Sequence, residues 1–134
     1  MRGLNLIVFS ATFLACLGLS TALTAEPAQH ASDKLCLGLT RIDNIDIMNN
    51  QNIVFETING EYYLNQLPRS CPNLSRDKAI MYKTSLNQLC NLDIITLLDN
   101  IGGGFEWAGA CGLGKFKRIS KEDYQTLSHK SAEK

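Results

Sequence analysis

From Leu35 onward, short runs of alternating apolar and polar residues are separated by clusters of Asn, Gly and Pro. That period of two predicts half-buried β-strands joined by tight turns. Leu35, Leu37 and Leu39 share one parity, and Ile45 and Ile47 continue it. Ile42 falls out of step, so a bulge or bend is expected near Thr40-Arg41. An amide-rich turn over Met48–Asn52 follows.

The clearest local signal is a hairpin, Ile53–Ile58 with Glu61–Gln66, around Asn59-Gly60. Asn-Gly suits a two-residue type I′ turn, whose central residues both need positive φ. That register sets Thr57 opposite Tyr62, Phe55 opposite Leu64 and Ile53 opposite Gln66 on a face expected to meet the core. Tyr63 then falls on the outer face, opposite Glu56.

Leu67–Asp77, with Pro68 and Pro72, reads as a loop. Ala79–Thr84 reads as a short strand, and Thr84–Asn91 returns the chain to Cys90. Asp93–Leu98 (DIITLL) is β-branched and continuously apolar, as expected of a strand buried on both faces. Gly102-Gly103-Gly104 predicts a turn, with strands around Phe105–Cys111 and Lys115–Ile119. Ser120 is placed to cap a helix that carries Glu122 and Asp123 in its first turn and ends near Leu127 or Ser128. Tyr124 and Leu127 lie on its inner side. The expected fold is mainly β: a small antiparallel β-barrel or sandwich of about six strands with a short C-terminal helix.

The N-terminus changes the picture. Arg2, the apolar run Leu6–Leu19 and the small residues through Ala25 have the order of a secretory signal. The run is about 14 residues, short of the ~20 that span a bilayer. Expected boundaries are therefore a signal over 1–25, a polar, disordered lead-in over 26–34, one domain over 35–128 and a tail over 129–134. Phe13-Leu14-Ala15-Cys16 only loosely imitates a lipoprotein signal, and no firm membrane anchor is expected.

Four cysteines remain after the signal: Cys36, Cys71, Cys90 and Cys111. An even number in an oxidising compartment predicts two disulfides, and four cysteines allow three pairings. The nested arrangement, Cys71–Cys90 inside Cys36–Cys111, is favoured. Loop entropy gives roughly 3 and 4.5 kcal/mol for its two bridges. No close C-x-x-C pair exists to suggest zinc or thioredoxin-like chemistry. From Glu26 the chain carries 12 basic and 13 acidic residues. That balance gives no electrostatic case for nucleic acid. Lys115, Lys117, Arg118 and Lys121 gather near the end, where a solvated strand end and helix start account for them.

Catalytic signals are thin. Gly109–Phe116 imitates a phosphate-binding loop as far as G-x-x-x-x-G-K, then places Phe116 where a hydroxyl is required. His30 and His129 fall outside the expected domain, so a histidine-based catalytic pair has no support. Asp43, Asp46, Asp93 and Asp99 are the candidate carboxylates, but each flanks a turn or brackets a strand, and no metal or cofactor is expected. Asn73-Leu74-Ser75 matches a glycosylation sequon. Tyr63 and Trp107 are the candidate binding aromatics.

The cysteine frame resembles that of small exported bacterial proteins of unknown function, several of them lipoproteins. The resemblance rests on Cys36 with Arg41-Ile42-Asp43 and on Tyr63-x-x-x-Leu67 with Cys71-x-x-Leu74. It continues in Leu89-Cys90-x-x-Asp93-x-Ile95 and Cys111-x-Leu113-x-x-Phe116-x-x-Ile119. It implies a secreted, periplasmic location in a Gram-negative envelope and no catalytic residues. The weak lipid signal at Cys16 departs from the lipoprotein members.

The expected function is that of a non-enzymatic, disulfide-stapled domain that binds an envelope partner or supports the envelope. The alternatives are a secreted hydrolase inhibitor presenting Leu67–Arg76 or Gly102–Gly104, and a carboxylate-dependent glycan hydrolase.

Overall fold

The computed structural model describes residues 33–84 and 86–133. The expected signal, the lead-in up to residue 32, Cys16 and His30 lie outside the described residues.

Among the described residues, nine strands and one α-helix follow in chain order: β1 (Cys36–Gly38), β2 (Ile42–Ile47), β3 (Asn52–Thr57), β4 (Tyr62–Gln66), β5 (Ala79–Tyr82), β6 (Gln88–Cys90), β7 (Ile94–Ile101), β8 (Gly104–Gly112), β9 (Phe116–Ile119) and α1 (Lys121–Ala132). The expected break near Thr40-Arg41 is a turn of 3-10 helix over Leu39–Arg41. All pairings are antiparallel, in a four-stranded sheet β2-β3-β4-β9, a three-stranded sheet β5-β7-β8 and a ribbon β1-β6. These sheets do not close into a barrel, so the packing is that of a sandwich.

The main core joins Ile53, Phe55 and Tyr63 of the four-stranded sheet to Ile95 and Leu97 of β7, with Leu67, Leu113 and Phe116. Phe55 and Phe116 meet edge to face, with ring centroids 5.2 Å apart. A smaller core on the opposite face of the four-stranded sheet sets Met48, Val54 and Tyr62 against Tyr124 and Leu127 of α1. As expected, Ser120 caps α1, its side chain accepting from the Asp123 amide at 3.0 Å. The helix then runs to Ala132, a turn beyond the expected end.

The β3–β4 hairpin departs from expectation by one residue. Its turn is a three-residue loop, with the Thr57 amide donating to Glu61 O at 3.0 Å and the Gly60 amide to Thr57 O at 2.8 Å. Gly60 alone takes a left-handed φ, +72°. This is the bulged hairpin form. The true type I′ pattern falls at the other hairpin, where Gly102 and Gly103 both have positive φ between paired Ile101 and Gly104. In β3–β4 the slip pairs Phe55 with Tyr63 and Val54 with Leu64. Tyr63 and Asn65 therefore enter the core in place of Tyr62 and Leu64, because a one-residue shift exchanges the faces of a strand.

The disulfides also differ from the favoured nesting: they join Cys36 to Cys90 and Cys71 to Cys111. Cys36 and Cys90 are direct cross-strand partners in β1-β6. Cys71 is buried in the loop after β4, and Cys111, in β8, is partly buried against the core. Neither strand adjacency nor that loop path is written in the local sequence. Two disulfides are consistent with an oxidising, extracellular compartment.

A candidate binding face on the three-stranded sheet

The apolar run in β7 is buried on one side only. Ile95 and Leu97 are fully buried, whereas Ile94 is 63% exposed. The expectation of burial on both faces fails because the outer face of β5-β7-β8 has no covering layer among the described residues.

Register identifies that outer face. Ala79, Leu98 and Trp107 stand in one cross-strand row, Met81, Thr96 and Ala110 in the next, and Asn100 with Phe105 toward the tip. Ile94 and Gly112 close the other end. None of these positions is charged. Trp107 is 73% exposed and Phe105 66%. Two large aromatics so far out of the core form a patch larger than single scattered apolar residues would make.

The outer half of the β7–β8 hairpin carries the patch into solvent. Beyond a bulge between Leu97 and Leu98, Asn100 through Trp107 are all exposed, Ile101 included. The reverse side of this arm is acidic, with Asp99 directly opposite Glu106. Like charges so placed repel. Lys78 offsets part of this by pairing with Asp99 and with Asp77, and the Asp99 bond leads the upward shift of its ammonium pKa. Nearer the base, Asn73 donates to the Ala108 carbonyl at 3.1 Å and the Cys71–Cys111 bond holds the same loop to β8. The arm therefore projects from a fixed root.

Of the two aromatics singled out from sequence, Trp107 lies on this face and Tyr63 does not. Tyr63 is 1% exposed in the main core, with its hydroxyl donating to Glu61 at 3.0 Å and accepting from Lys34 at 2.7 Å. That phenol bond, followed by the Arg118 charge at 3.0 Å, holds the Glu61 carboxyl below its ordinary pKa. Phe105, Met81 and Ile94 were missed. The usable signal was Phe105-x-Trp107, two aromatics of one parity beside a glycine tip.

The candidate carboxylates are spread out and mostly occupied by structural bonds. Asp46 accepts from Tyr124 at 2.7 Å, Asp93 accepts from the Cys90 amide at 2.7 Å, Asp99 pairs with Lys78, and Asp43 is exposed on β2. His129 is exposed on the last turns of α1. The phosphate-loop imitation forms the end of β8 and its link to β9. Among the described residues no group of three or more His, Cys, Asp or Glu side chains is placed to hold a metal ion. No described helix is long and apolar enough to cross a membrane. Loop 67–76 is pinned inward, with Leu67, Cys71 and Leu74 buried.

Comparison with protein families, curated proteins and solved structures finds no match to this chain.

Proposed function

We propose that this is a non-enzymatic, exported binding domain of a Gram-negative envelope, which captures a periplasmic protein partner on the outer face of β5-β7-β8. The observation that carries the reading is the uncharged face presenting Trp107 and Phe105 on a projecting arm. Aromatic anchors of this kind supply most of the energy of a protein interface, because a large rigid ring loses little entropy when it docks. The lack of charge on the face favours an apolar partner surface over a nucleic acid or a charged polymer. The acidic reverse side, Asp99 and Glu106, disfavours an anionic membrane. The signal-like N-terminus and the disulfides support export.

The test is photo-crosslinking in the periplasm from a probe at Phe105, with a probe at exposed Ile58 on the β3–β4 hairpin as control. A discrete adduct with an envelope protein from position 105 alone, lost in Trp107→Ser, is the expected result. Identical adducts from both positions would overturn the assignment. An adduct with a second copy of this chain would replace a heterologous partner by self-association.

A further inference from the structure

A second surface, which shares none of the residues of the aromatic face, carries a different chemistry. A half-open groove of about 480 Å³ is lined by Leu64, Pro68, Leu92 and Leu113, with Lys115 and Lys117 on its rim. Leu113 is fully buried beneath it. Neither lysine takes part in an ion pair among the described residues. Asp33, Gln66 and Asn91 complete the polar edge, leaving one net positive charge.

Leu92 is the second, independent observation. It occupies the third position of a turn closed by the Asp93 amide on Cys90 O at 3.1 Å, with φ +75°. Glycine or asparagine normally fills that position, because a Cβ disfavours left-handed backbone. Leu92 is nevertheless 76% exposed, so core packing gives no compensation for the strain. The turn is clamped from outside: the Leu92 amide donates to Leu113 O at 3.0 Å and the Leu113 amide to Asp93 O at 2.9 Å. What the conformation achieves is an isobutyl group at the edge of the groove. An over-determined strained residue beside a cavity points to recognition.

We propose that this groove binds a single-chain amphiphile with a carboxylate head, a free fatty acid, its chain over Leu64, Pro68 and Leu92 and its carboxylate between Lys115 and Lys117. Apolar lining with a few convergent charged groups is the general design of small-ligand sites, and 480 Å³ lies within their size range. Charge-assisted bonds to a carboxylate select the anion over a neutral head group.

The test titrates dodecanoate, below its micellar concentration, into the oxidised chain beginning at Glu26, followed by calorimetry. Saturable binding is expected, weaker by about tenfold or more in Lys115→Gln/Lys117→Gln and for the neutral amphiphile dodecyl maltoside. Leu92→Asn is expected to melt at a higher temperature than the parent, since asparagine tolerates the turn, yet to bind dodecanoate about tenfold more weakly. Trp107→Ser is expected to bind normally. Unchanged affinity in Leu92→Asn or in the lysine pair would overturn the assignment, as would equal binding of the neutral amphiphile. Binding of dodecyl phosphate but not dodecanoate would overturn the carboxylate. Binding that emerges only when residues 26–32 are deleted would assign the groove to the chain's own leader.

Discussion

The side chain of Asn65 reads the backbone of Gly114, 49 positions later, through two hydrogen bonds of 2.8 Å. Its amide nitrogen donates to Gly114 O, and its amide oxygen accepts from the Gly114 N–H. Asn65 is fully buried, so this pair satisfies both a core polar side chain and the backbone where β8 hands over to β9. A Cβ on Gly114 would run into the Gln66 carbonyl, and the close approach of the two segments needs glycine.

Asn65→Ala is expected to lower unfolding free energy by about 1–3 kcal/mol, because two partly buried backbone groups lose their partners. Gly114→Ala should be at least as damaging, since backbone and not a flexible side chain must move. Urea titration checks both. A loss below about 0.5 kcal/mol in either variant would contradict the buried clamp.

Proteolysis of the oxidised chain followed by mass spectrometry should return peptides linked Cys36–Cys90 and Cys71–Cys111. Sequence separations of 54 and 40 give about 4 kcal/mol of loop entropy for each bridge. That is comparable to the ~5–15 kcal/mol total of an ordinary domain. Replacing either pair with alanine should cost several degrees or more of melting temperature, and replacing both should abolish cooperative unfolding.

Tyr124 stacks on Tyr62, ring centroids 4.5 Å apart, and donates to Asp46 at 2.7 Å. That bond, reinforced by burial, pushes its phenol up to about 12 from an ordinary 10. Folding therefore favours the protonated phenol. The resulting stability is fully present below pH 10 and is lost as pH rises through 12. Ultraviolet titration should show Tyr124 ionising about two pH units late, beside a Tyr62 phenol also raised by its bond to Glu56, and Asp46→Asn should bring Tyr124 back toward 10.

Trp107 is the only tryptophan, and it is 73% exposed. Its fluorescence in the free protein should be red-shifted and readily quenched by iodide, then move to the blue when a partner covers the face. Trp107→Lys should change stability by no more than about 0.5 kcal/mol, as an exposed strand substitution away from the core does. A blue, quencher-resistant emission from the free monomer would place Trp107 elsewhere.

Local chemistry determined much of this protein. Parity, turn residues and a capping serine located most of the strands, the break near Thr40, the late helix and its inner residues Tyr124 and Leu127. Those features depend on near neighbours, so they are written in adjacent letters. Only the tertiary structure decided the rest. The three-residue loop at Ile58–Gly60 moved Tyr63 into the core, since a strand's face depends on a register that one hydrogen bond can shift. The cysteine partners followed from which strands pair across long loops. Trp107 could be noticed in the sequence, but not the open face that joins it to Phe105, Met81 and Ile94. Burial of DIITLL on one side and its exposure on the other depend on what packs against β7, and that partner is chosen by the whole chain.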